Sequence, residues 1–191
     1  MNAIANRRTE IYDYFHSNAS CQKYFLDPAN DAQYVAYYNS MYLLQDSTES
    51  LLVHRQRGFS KDPHLAYLEF WGVMQTVIIQ QDSIVEIHEV MVGKPLDAKT
   101  ANLVSWLKVR ELRSICAGHP AKKDRPKAAP LTRSFMGRAF GDYNAISYEQ
   151  WQEGSGTTHP RVLLGALFDD YAIEAEAQLA ITLESMKNRW P

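Results

Sequence analysis

Arg113 and His119 stand with five residues between them at the end of an apolar stretch, Trp106-Leu-Lys-Val-Arg110-Glu-Leu-Arg113-Ser-Ile-Cys-Ala-Gly118-His119-Pro120. Histidine titrates near neutral pH and moves protons in both directions. Arginine stays charged and can grip two phosphate oxygens at once. Together they supply what scission of an RNA phosphodiester demands: removal of the 2′-hydroxyl proton, donation to the leaving 5′ oxygen, and a fixed positive charge for the phosphorane between them. The same residues also serve structure alone. Gly118 in a left-handed conformation ends a helix, Pro120 prevents its resumption, and His119 then interacts with the last carbonyls. A buried Arg113 needs an acidic partner, for which Asp82 and Glu86 on the preceding helix are the candidates. On an unbroken helix six steps of about 100° leave Arg113 and His119 roughly 240° apart. Their convergence therefore requires a break at Gly118, or a second subunit that contributes one of the pair.

The local charge fits an anionic substrate better than the total does. Lys and Arg number 20 against 22 Asp and Glu, a formal charge of −2, which argues neither for a generic nucleic-acid coat nor for an acidic tail. Between Lys108 and Arg138, however, nine basic residues face two acidic ones. Lys122, Lys123, Arg125 and Lys127 lie in the proline-punctuated loop 121–130, directly after His119, where phosphate contacts would help RNA bind. A solvated loop that offsets the acidic remainder is the other reading. Phe135, Phe140, Tyr143 and Tyr148 follow, able to stack on unpaired bases or to pack onto the helices. The other histidines are scattered without the close His/Glu pairing of a helical zinc site, and Asp169-Asp170 lacks identifiable metal-binding partners. No glycine-rich phosphate loop is present. We expect no metal and no cofactor. Cys21 and Cys116 lie far apart, no window approaches a membrane span and no signal-like apolar segment opens the chain, so a reducing cytoplasm is the expected home.

Apolar residues return every three or four positions along most of the chain, which predicts helices. A short helix is expected over about 3–16, then a loop at Ser17-Asn18 and Asp27-Pro28. Long helices follow over about 31–57, closed by Gly58, and from Asp62-Pro63 to Gly93. In the second of these Gln75, Asp82 and Glu86 form a polar stripe. The segment 101–117 is apolar almost all round, which predicts a central, buried helix. Residues 133–151, rich in aromatics, suit a small hairpin, residues 154–160 a loop, and Pro160 starts a last helix to about residue 188. The expected fold is a single all-α domain over 1–191: a four-helix up-and-down bundle with an extra N-terminal helix and a small irregular or hairpin insertion before the last helix.

Arg113-Ser114 followed by His119 near a helix end resembles the HEPN superfamily, small helical bundles marked by arginine, a polar residue and then histidine after four to six positions. The wider stretch Val73 to Ile84 with Gln80-Gln81-Asp82, then Trp106, Arg110-Glu-Leu-Arg113 and Gly118-His119-Pro120, is similar to a bacterial branch of that superfamily. The resemblance covers residues 62–120 well and the rest by helix order; Ser114 stands where asparagine, aspartate or histidine is common. It implies a homodimer whose Arg113, His119 and Ser114 from both copies share a cleft and cleave single-stranded RNA without metal. Arg110, Lys122, Lys123 and Arg125 would contact the substrate, in a toxin–antitoxin, antiphage or RNA-processing setting. The alternative is a non-catalytic interaction or nucleotide-binding module with a protein partner.

Overall fold

The structure, a computed structural model, describes residues 1–118 and 130–191. Its helices are α1 (Asn2–Ser17), α2 (Ala19–Phe25), α3 (Asp31–Arg57), α4 (Pro63–Val92), α5 (Val104–Arg113) and α6 (Leu164–Arg189), with a 3-10 turn at Pro28–Asn30 and a π-turn at Ser114–Gly118. The long helices begin and end where the residues demand it. The Asp62 side chain accepts from the backbone N–H groups of His64 and Leu65, Pro63 occupies the first position, and Gly93 closes α4 in the left-handed conformation. The expected loop at Ser17-Asn18 instead holds a junction between two helices. The Asn18 side chain accepts from the Cys21 N–H at 2.8 Å, so the residue that ends α1 also caps α2.

α4 packs against α3 and α6, α5 against α6 and α4, and α1 against α3 and α6. Hydrogen bonds give the directions. Thr48 meets Gln80 while Arg57 meets Glu69, so α3 and α4 are antiparallel. Gln81 reaches the Trp106 carbonyl while Gln75 reaches Arg113, so α4 and α5 are antiparallel as well. α1 belongs to the core rather than flanking it: Ile4 and Ile11 are fully buried, and Phe15 stacks on Tyr37. At the centre Gln80, fully buried, donates to Thr48 Oγ1 at 2.7 Å and accepts from the Tyr171 hydroxyl at 2.9 Å. Thr48 in turn donates to the Leu44 carbonyl. These bonds tie α3, α4 and α6 together through polar groups with no access to water.

The helix expected over 101–117 is shorter and less buried. Asn102 takes a positive φ of 53°, which delays the regular helix to Val104. Ser105, Trp106, Val109 and Leu112 are buried, whereas Val104, Lys108 and Glu111 face solvent, so α5 is amphipathic. Its amino end has no cap of its own. The Glu174 carboxylate on α6 accepts from the N–H groups of Ser105 at 2.9 Å and Trp106 at 2.8 Å. A carboxylate at a helix N-terminus satisfies orphan donors and opposes the helix dipole. Glu174→Ala is therefore expected to lower stability by about 1–2 kcal/mol, read as a shifted urea midpoint with an unchanged slope.

The insertion before α6 contains two small sheets. β1 (Thr132–Phe135), β3 (Glu149–Gln152) and β4 (Gly156–Thr158) form one, and β2 (Ile146–Ser147) with β5 (Arg161–Val162) forms the other, all antiparallel. The hairpin expected over 133–151 is thus displaced. β1 and β3 do pair within it, with Phe135 opposite Glu149, but the tight turn joins β3 to β4. Gly154 and Gly156 at φ of 80° and 81° make that turn, in a stretch expected to be loop. Pro160 precedes β5, and α6 starts four residues later. Phe140 is buried against Phe59 and Phe70, and Tyr143 stacks on Phe59 while its hydroxyl meets His54 Nδ1 at 2.8 Å. Gly141 permits this packing: at φ 113° a Cβ there would lie 2.1 Å from the Ala145 carbonyl oxygen.

Candidate functional site at the end of α5

Arg113 is the last residue of α5, and the π-turn Ser114–Gly118 follows at once. π-turns widen the backbone by one residue and occur frequently at functional positions. The antiparallel pairing of α4 and α5 decides which polar groups meet. Arg110 forms its ion pair with Asp82, both partly exposed. Arg113, half-buried, donates from Nη2 to Gln75 Oε1 at 3.0 Å. Asp82 is therefore the partner of Arg110, one turn earlier, and not of Arg113. Glu86, the other expected partner, is exposed and carries no ion pair among the described residues. The polar stripe of α4 does face α5, but it offers Arg113 an amide in place of a carboxylate.

That substitution matters for what the site can do. Among the described residues a neutral amide fixes one N–H of the guanidinium and no carboxylate compensates its charge, which leaves the other donors of the planar fork for a phosphate. Arg110, by contrast, is already neutralised, so its expected role as a substrate contact would cost the ion pair with Asp82. Ser114 is half-buried and makes no side-chain hydrogen bond among the described residues. His119, Lys122, Lys123 and Arg125 lie outside the described residues, as does the rest of loop 121–129. Cys116, buried inside the π-turn, has its thiol pushed up to about 12 by burial and is no nucleophile at neutral pH.

Behind the site the α4–α5 seam is partly polar. Gln81, fully buried, donates to the Trp106 carbonyl at 3.1 Å, and its own side-chain oxygen has no partner among the described residues. His88, further along α4, meets Thr182 Oγ1 at 3.2 Å, and burial holds its pKa below the ordinary value. His54 is likewise lowered by burial and by Arg57, against the opposing pull of Glu69. Both histidines hold packed elements together. Neither is near Arg113 in the fold's hydrogen-bond network. Asp169 is gripped by both guanidinium nitrogens of Arg55 at 2.5 and 2.7 Å, which places it in a surface ion pair. Among the described residues no group of three His, Cys, Asp or Glu side chains is placed to hold a metal ion.

Three features escape a reading of residue types alone. Glu174 caps α5 from 69 positions downstream, a partnership that no local motif announces. Gln75 holds Arg113, although its place on the polar stripe of α4 was a usable signal. The third is a cleft on the opposite face of α5, described below. No helix among the described residues is long and apolar enough to cross a membrane. No protein-family model, curated protein or solved structure matches the chain.

Proposed function

We propose that the chain is a HEPN-like protein, a four-helix up-and-down bundle augmented by α1 and by the sheets before α6, that binds and cleaves single-stranded RNA without a metal. The observation that carries this reading is the state of Arg113: half-buried, at a π-turn, and held by the neutral Gln75, with no ion pair among the described residues. Arg113 grips the scissile phosphate and Ser114 assists. His119 takes the 2′-hydroxyl proton as that oxygen attacks phosphorus, and a second histidine, from another copy, protonates the departing 5′ oxygen. The products are a 2′,3′-cyclic phosphate and a free 5′-hydroxyl. Arg110, Lys122, Lys123 and Arg125 guide the strand. Exposed Leu65 and Leu68, on the same side of α4 as Gln75 by helical spacing, support a homodimer that shares the cleft. The setting is cytoplasmic, in a toxin–antitoxin, antiphage or RNA-processing role.

Incubating the protein with single-stranded RNA in EDTA tests this directly. Cleavage by the native chain and its loss in His119→Ala, at unchanged circular dichroism, are the expected results. Equal cleavage by both proteins would sink the assignment. A non-catalytic interaction module is the second reading, favoured by the exposed Val35, Tyr38, Tyr42 and Leu43 on α3. It predicts a complex with a protein partner and no cleavage at all.

A further inference from the structure

A cleft of about 490 Å³ lies on the side of α5 turned away from Arg113's partner Gln75, between α5, the small sheets and the first turns of α6. Seven polar side chains line it: Ser105, Lys108 and Glu111 on α5, Tyr148, Gln150 on β3, Arg161 on β5 and Asp170 on α6. No hydrogen bond or ion pair engages these side chains among the described residues, so two cations and two carboxylates converge on the cleft without neutralising each other. Ser105 is only 8% exposed and its hydroxyl is also without a partner. Between the charges lie Leu112, Ile115 and Leu167, with the half-buried ring of Tyr148 at one side. Leu163, just before α6, with Ala166 and Leu167 forms one wall, and α6 opens with no side-chain cap and no acidic residue in its first turn, although its Gly165 N–H donates to the Tyr143 carbonyl at 2.7 Å. Its positive end therefore faces the same space.

This balance selects a ligand class. A phosphate or nucleotide drawn by Lys108 and Arg161 meets Glu111 and Asp170, and a polyamine drawn by the carboxylates meets the two bases. A ligand with one charge of each sign and an apolar middle satisfies all of them. We propose that this cleft binds a short zwitterionic peptide of dipeptide size with apolar side chains. Its carboxylate lies toward Arg161, Ser105 and the start of α6, its ammonium toward Asp170 and Glu111, and its side chains rest on Leu112, Ile115 and Leu167. Capture of a free chain end by charge and backbone dipoles is a recurrent recognition mode. The volume suits it, since small-molecule sites run from about 300 to 1,000 Å³.

Isothermal titration calorimetry with leucyl-phenylalanine is the test, beside its N-acetylated and C-amidated forms and adenosine 5′-monophosphate. The free dipeptide is expected to saturate one site, and each blocking group to weaken it by about tenfold, the loss of one ionic contact. Arg161→Ala should weaken the free dipeptide to the level of its amide, and Glu111→Gln with Asp170→Asn to the level of its acetyl form. These side chains are exposed, so the variants retain the fold, as circular dichroism would verify. Arg113→Ala should leave the affinity unchanged, which separates this site from the ribonuclease reading. No saturable heat from the dipeptide, tighter binding of the nucleotide, or full affinity in Arg161→Ala would each overturn the proposal.

Discussion

Replacing Gln80 by leucine is expected to remove about 2–3 kcal/mol of stability, although it puts an apolar side chain of similar size into an apolar interior. The Tyr171 hydroxyl, which donates to Gln80 Oε1, would be left buried without an acceptor, and Thr48 would lose a donor. An orphaned buried hydroxyl costs more than a made hydrogen bond returns, because it forfeits its bonds to water without replacement. The cost should therefore fall when the orphan is removed. Gln80→Leu with Tyr171→Phe is expected to be more stable than Gln80→Leu alone, and by about 1–2 kcal/mol. Urea denaturation of the two single variants and the double variant closes the cycle. Additive losses would mean that the two side chains do not act as one network.

On the ribonuclease reading, Arg113→Ala is expected to lower kcat/KM for RNA by about 100- to 1,000-fold, the usual cost of removing one donor aimed at transition-state charge. Its effect on stability should stay below about 1 kcal/mol, because the contact it breaks is a half-exposed bond to a neutral amide. A buried arginine paired with Asp82 would behave in the opposite way, with a large loss of stability from the stranded carboxylate. Gln75→Ala offers the finer comparison. It leaves the charge of Arg113 in place but frees its rotamers, so the expected loss is smaller and appears mainly in kcat. Cleavage and chemical denaturation measured on the same preparations separate the two accounts.

Helix ends were legible where the chain writes its own stop signs. Asp62-Pro63, Gly93 and Gly58 each mark a boundary through local chemistry, and the structure breaks its helices there. Asn18 misleads because a residue that favours turns also favours caps, and nothing within a few positions distinguishes a loop from a second helix. The apolar count over 101–117 overstated burial because Val104 and part of Leu107 lie on the surface side of α5, a matter of which face the neighbours cover. The Arg113 partnership was half legible. Sequence placed Gln75, Asp82 and Glu86 on one stripe, but the sliding register of two antiparallel helices decides which of them meets Arg110 and which Arg113. The π-turn left no trace in residue types, since its backbone departs from the regular helix by the placement of one residue.

The capping of α5 by Glu174 has a consequence for how the site comes into being. A ten-residue helix is too short to persist alone in water, where about 12–15 residues are marginal even for good formers. The element that carries Arg113 thus borrows its first turn from α6, which is synthesised after it. A nascent chain holding every residue named in the ribonuclease reading would still lack the arginine's platform until α6 emerges. Removal of α6 by a protease would erase the platform of Arg113 without touching a residue of α5, so on the ribonuclease reading catalytic competence would arise late and be revocable.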